Sequence, residues 1–166
     1  MFYAILAAVL VALDQIVKYL VRANIPLGGN VPFLPYLLDL TYVQNTGAAF
    51  SLLNAHTWLL TLISAVVVLV MCALIVKGFF KNALGRWAAA LVLAGGMGNL
   101  IDRVLLGYVT DMFQTVFMDF AVFNVADCCI TIGVPLLFLY VLLYVGRDEK
   151  KEGEADESAQ LPPDGH

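Results

Sequence analysis

The stretch TWLLTLISAVVVLVMCALIV, Thr57 to Val76, runs for twenty residues without a charge. At about 1.5 Å per residue a helix of that length crosses the ~30 Å hydrocarbon core of a bilayer. Three other runs fit the same reading. Cys128 to Gly146 is uncharged for nineteen residues and is interrupted only by Pro135, which a membrane helix tolerates. Trp87 to Ile101 is uncharged and continues apolar past Arg103 to Leu106. Phe2 to Leu13 is uncharged, and Asp14 and Lys18 then follow. The fold expected is a membrane all-α protein with four transmembrane helices and a small extracytoplasmic β-containing segment. The helices are placed at about residues 2–21, 57–76, 87–106 and 126–146 of a single 1–146 domain. The first run lacks the basic start of a signal peptide, and Asp14 and Lys18 stand where a cleavage site would follow, so it is read as a retained helix.

Composition agrees. Of 166 residues, 61% are hydrophobic and 13% charged, against about 45–50% and 25% in ordinary soluble domains. A soluble enzyme is thereby excluded. The net charge of −4 is local: residues 1–146 carry six acids and six bases, while residues 147–166 carry seven acids and three bases. That acidic tail is expected to be disordered and cytoplasmic. With no basic surplus, nucleic-acid binding has no support. Cys72, Cys128 and Cys129 lie in apolar runs, which fits small buried hydrophobes rather than a disulfide or zinc pattern.

Basic residues set the orientation. Lys77, Lys81 and Arg86 lie between helices 2 and 3, and Arg147, Lys150 and Lys151 follow helix 4. Both groups are expected inside, which places both termini in the cytoplasm. Lys18 and Arg22 are the exceptions, and Lys18 stands four residues after Asp14, at the spacing of an ion pair. Residues 23–56 and 107–125 are then extracytoplasmic. The first holds Pro26, Pro32 and Pro35, with a short strand expected at Leu38 to Val43. The second is aromatic and is expected to lie against the bilayer surface.

Ionisable residues inside spans are costly and mark function by default. By helical rise, Asp14 lies about 20 Å from the cytoplasmic start of helix 1. Asn99 and Asp102 lie about 20 and 24 Å into helix 3, and Asp127 about 28 Å from the inner end of helix 4. Asp111 follows helix 3 closely. The group gathers at the outer leaflet, as suits a site acting on something presented there. Asp102 has Arg103 beside it and is read as an ionised scaffold pair first. Asp111 and Asp127 have no neighbouring cation in sequence, and Asn124 precedes Asp127 by three residues. Brought together at a half-dry interface, two such carboxyls would share one proton, as in aspartic proteases. Asp119 is read as solvated and Asp39 as part of a strand or turn. His56 is read as a helix-entrance residue, and no Ser–His pair or metal cluster fits. Gly95, Gly96 and Gly98 fit close helix packing.

Five motifs in order carry a resemblance: Leu13-Asp14-Gln15 with Lys18; Asn45-Thr46-Gly47-Ala48-Ala49-Phe50-Ser51; Gly95-Gly96 with Gly98-Asn99-Leu100-Ile101-Asp102-Arg103; Val109-Thr110-Asp111; and Phe123-Asn124-Val125-Ala126-Asp127. Together they resemble the bacterial lipoprotein signal peptidase (type II signal peptidase) family over about residues 10–135. The resemblance implies an intramembrane aspartic endopeptidase of the bacterial cytoplasmic membrane. Such an enzyme removes signal peptides from diacylglyceryl-modified prolipoproteins, cutting before the lipidated cysteine. It implies Asp111 and Asp127 as the catalytic pair. Asn45, Gly47, Asn99, Arg103, Asn124 and Ala126 match positions that hold substrate or support the pair, and Asp14, Lys18 and Asp102 match structural ones. The partners implied are prolipoproteins and membrane lipids, with a monomer sufficient and no cofactor or metal. Thr110, Met112 and Cys128-Cys129 depart mildly from the usual pattern without removing a functional group. A proton-coupled transporter using Asp14, Asp102 and Asp127 is the alternative, weakened by the lack of midplane charges and of internal repeats. A non-catalytic scaffold is the third reading.

Overall fold

The computed structural model describes residues 1–47 and 57–145. Four helices long and apolar enough to span a membrane are present: α1 (Phe2–Asn24), α2 (Thr57–Val76), α3 (Ala83–Leu106) and α4 (Val125–Tyr140). A π-helical turn, Val141–Val145, extends the last of these. The acidic tail, His56 and residues 48–51 of the second motif lie outside the described residues.

α3 is the axle of the bundle. It packs against α1, α2 and α4, whereas the backbones of α1 and α2 stay apart among the described residues. Its buried face is built from Ala88, Ala89, Ala90, Ala94, Gly95, Gly96 and Gly98, small residues that let backbones approach. The peripheral helix α2 fully buries only Val68 and Met71, and much of its apolar surface is exposed. α3 begins four residues before the expected Trp87, because Asn82 caps it by accepting from Gly85 N at 2.9 Å. It ends at Gly107, whose φ of 80° closes the last turn onto the Arg103 carbonyl. α1 runs three residues beyond the expected end, to Asn24.

Gly98 shows how tight the packing is. A Cβ there would sit 2.6 Å from Asp14 Oδ2 and 3.1 Å from Ala126 Cβ. That carboxylate is pinned by other contacts, so Gly98→Ala is expected to cost about 1–3 kcal/mol. A lowered thermal unfolding midpoint in detergent would show it, and an unchanged midpoint would contradict it.

Among the described residues three antiparallel strands form a sheet in the order β1 (Asn30–Leu34), β2 (Leu38–Asn45) and β3 (Val109–Thr115). The strand expected at Leu38 to Val43 is β2. The segment 107–125 differs from expectation, since its first half is β3, paired with β2, rather than a surface-lying stretch. Its pairing partner lies far back in the chain and leaves no local signature. Val21 of α1 and Ile25 just beyond its end pack with Tyr42 and Met112, seating the sheet on the end of the bundle.

Candidate active site

β3 and the start of α4 deliver Asp111 and Asp127 to one place. In the β2–β3 register Asp111 faces Val43, so Asn45 is its diagonal neighbour on the same face. Asn45 Nδ2 donates to Asp111 Oδ2 at 2.8 Å, while Asn45 Oδ1 accepts from Gly47 N at 3.0 Å. The second contact fixes which way the amide points.

Asp127 is held by a helix cap. Asn124 is the N-cap of α4, accepting from Asp127 N at 2.9 Å, and Asp127 Oδ2 accepts from Asn124 N at 3.2 Å. This reciprocal box fixes the carboxylate at the helix N-terminus, where the helix dipole favours negative charge. Its other oxygen accepts from Asn99 Nδ2 at 2.8 Å. The Asn124 side chain also donates to Asp111 Oδ1 at 2.6 Å and to Asn99 Oδ1 at 3.2 Å. One asparagine therefore touches both carboxyls, and each of their four oxygens has one donor.

Asp111 is almost fully buried and Asp127 half-buried. Burial pushes the Asp111 carboxyl up from the ordinary 3.8 to about 6. The Asn45 donor opposes the rise, the charge of Asp127 adds to it, and Asn124 and then Lys18 oppose it. The site therefore holds a carboxyl that keeps its proton far longer than an exposed aspartate does.

The remaining acids tie down the segments that carry this pair. Asp102 Oδ2 accepts from Thr110 N at 2.9 Å, and Asp14 Oδ1 accepts from Ala126 N at 2.9 Å. Each thus grips the backbone of the residue just before Asp111 or Asp127. Lys18 sits between them, 2.9 Å from Asp14 and 3.4 Å from Asp102, and is completely buried. It also donates to Asn99 Oδ1 at 3.0 Å. With Asn124 donating to the same oxygen, the Asn99 amide nitrogen is left facing Asp127.

Arg103 requires a correction. It makes no ion pair with Asp102, because consecutive helical residues point to different faces. Lys18 is the close cation of Asp102, with Arg22 at 4.0 Å. Arg103 Nη1 instead donates to Ser64 Oγ on α2 at 3.3 Å and to the Asn99 carbonyl at 3.5 Å. Asp39 bonds Asn30, and Asp119 is exposed, so neither approaches the cluster. Gln15 and Arg22 were not singled out as site residues. Gln15 bonds Asp14, Asp102 and the Gly98 carbonyl, and Arg22 bonds Thr110 Oγ1 at 2.9 Å. Both lie with Asp14 and Lys18 on one side of an otherwise apolar helix, a polar stripe visible in the spacing.

A sequence model of the signal peptidase (SPase) II family matches residues 6–143. The chain belongs to that family. Signal peptidase II relatives share long stretches of it. The lipoprotein signal peptidase of Enterococcus faecalis is 46% identical over 154 residues, covering 92% of this chain and 93% of that protein. That of Lactiplantibacillus plantarum is 41% identical over 155 residues, covering 90% and 97%. Two solved structures, each described as a bacterial membrane enzyme determined by the in meso method, superpose closely. One has a TM-score of 0.78 at 29% identity and covers 99% of this chain and 94% of its own. The other has a TM-score of 0.77 at 32% identity, covering 87% and 94%. The chain is thus a multi-pass membrane peptidase of the signal peptidase II family.

Proposed function

We propose that this peptidase removes signal peptides from diacylglyceryl-modified prolipoproteins, cutting before the lipidated cysteine with Asp111 and Asp127 as an aspartic dyad. The observation that carries the reading is that Asn124 donates to both carboxyls, through its side-chain amide to Asp111 and through its backbone N–H to Asp127. Two carboxyls so close share a proton. Asp111, buried and raised to about 6, is its natural holder.

The cycle follows from that assignment. The Asp127 carboxylate takes a proton from a water molecule as the oxygen attacks the scissile carbonyl carbon. Asp111 donates its proton toward the carbonyl oxygen, giving a tetrahedral gem-diol. Asp127 then passes its acquired proton to the leaving amine nitrogen as the C–N bond breaks, and the gem-diol returns a proton to Asp111 as the acid product forms. Arg103 has guanidinium N–H groups beyond those bound to Ser64 and Asn99, and these serve peptide carbonyls of the substrate. Asn45, Gly47, Asn99 and Asn124 hold the pair, and Ala126 N anchors it through Asp14. Every one of these residues comes from one chain, so a monomer suffices.

The lipid explains the site's position. A diacylglyceryl group anchors its cysteine at the bilayer boundary, and the dyad stands where the sheet meets the ends of α1, α3 and α4. With both termini cytoplasmic, that end lies at the outer face of the bacterial cytoplasmic membrane. The purified protein is expected to cleave a lipidated precursor completely and to leave the same precursor uncut when serine replaces its cysteine. A gel shift, with mass spectrometry of the new N-terminus, reads the result. Equal cleavage of both precursors would contradict lipid recognition.

A further inference from the structure

Asp111 owes its setting to more than strand pairing. β3 is an edge of the three-stranded sheet, and its ladder with β2 shifts register between Leu40 and Val43, beside Asp111. Thr41 and Tyr42 there oppose the single residue Met112, the count of a β-bulge, which bends a strand and re-aims its side chains. On its outer edge β3 bonds the chain at Phe123, through Met112 and Phe113. Those bonds lie after Asp111. On the same edge Thr110, the residue before it, is held by side chains instead.

Thr110 is completely buried. Its N–H donates to Asp102 Oδ2 at 2.9 Å, and its hydroxyl oxygen accepts from Arg22 Nη1 at 2.9 Å. The same Arg22 nitrogen stands 4.0 Å from Asp102 Oδ1. α1 and α3 thereby meet on one residue of β3. Side chains alternate across a strand, so Thr110 and Met112 face α1 while Asp111 faces Asn45 and Asn124. A shift of Thr110 relative to Arg22 therefore carries the Asp111 carboxyl with it on the opposite face.

We infer that Arg22, acting through the Thr110 hydroxyl, is a positioning residue for Asp111, fixing how that carboxyl meets the scissile carbonyl. This role rests on the proposed dyad. A purely structural tie between sheet and helix fits less well. Val21, Ile25, Tyr42 and Met112 already pack the sheet onto the end of α1. Arg22 is part-exposed, so water can replace a lost partner at small cost in stability.

Steady-state cleavage of a lipidated precursor by the full chain, with thermal unfolding measured beside it, tests the role. Thr110→Val keeps the side chain's shape and removes the acceptor. It is expected to lower kcat about tenfold and to leave KM within about twofold, since a small displacement of a reacting group costs rate rather than binding. Thr110→Ser restores the hydroxyl and should return kcat to within about twofold of the parent. Arg22→Met, at a part-exposed position, removes the donor and should lower kcat in the same way. The double variant should be no slower than Arg22→Met alone, because the shared contact is already gone. A kcat within about twofold of the parent in Thr110→Val or Arg22→Met would overturn the role, as would losses that multiply in the double variant or a serine variant as slow as the valine one. Asp111→Asn, assayed alongside, separates the two levels. An inert Asp111→Asn beside a fully active Thr110→Val removes only the positioning role, whereas an active Asp111→Asn removes the dyad and this role together.

Discussion

Asp111→Asn and Asp127→Asn are each expected to lower cleavage of a lipidated precursor by at least about 10³-fold, with the protein still folded in the membrane. Both replacements keep shape and remove the proton chemistry. At position 127 an asparagine oxygen can still accept from the Asn124 backbone, so the cap of α4 survives. At position 111 the Asn45 and Asn124 donors find one acceptor instead of two, a modest loss. The double variant should be no worse than either single one, because the pair acts as a unit. A fold check by thermal unfolding accompanies the assay. Residual activity within tenfold of the parent in either single variant would remove that residue from the dyad.

Lys18→Met is expected to carry the largest stability loss, about 3–5 kcal/mol. The side chain is fully buried, and its removal leaves Asp14 and Asp102 buried without their close cation. Those two carboxylates hold the backbone before Asp127 and Asp111, so activity should fall along with stability. The Asn99 amide also loses one of the two donors that orient it toward Asp127. Thermal midpoint and membrane yield read the first effect, and kcat of the surviving folded protein reads the second. Pairing the change with Asp14→Asn should recover part of the loss, since one unpaired charge goes with it. A variant as stable and active as the parent would show that the buried network is dispensable.

Much of this was legible in the chain. The four spans follow from length and apolarity alone, and scanning sequence neighbours for cations is enough to single out Asp111 and Asp127 as the candidate pair. The i,i+4 spacing of Asp14 and Lys18 marked the contact that the structure places at 2.9 Å. Other features were out of reach for physical reasons. β3 owes its existence to hydrogen bonds with β2, and Asn45 meets Asp111 across 66 residues of chain. Adjacency misled at Asp102, where the residue next in sequence pointed elsewhere and the true cation came from another helix. The start of α3 is legible in Asn82, a good N-cap residue, whereas the uncharged run that begins at Trp87 marks the helix four residues late.

A single proton shared between Asp111 and Asp127 would show in the pH dependence of kcat/KM. With Asp111 raised to about 6, the singly protonated pair is the working form. As pH rises past that value the shared proton is lost and no acid remains to polarise the carbonyl, so the rate falls. At low pH a second proton binds the pair, no base remains to activate water, and the rate falls again. A bell-shaped profile is expected on a lipidated precursor, with its alkaline limb beginning near 6. A rate that climbs to a plateau and stays flat to pH 9, as a lone carboxylate base would give, would contradict it.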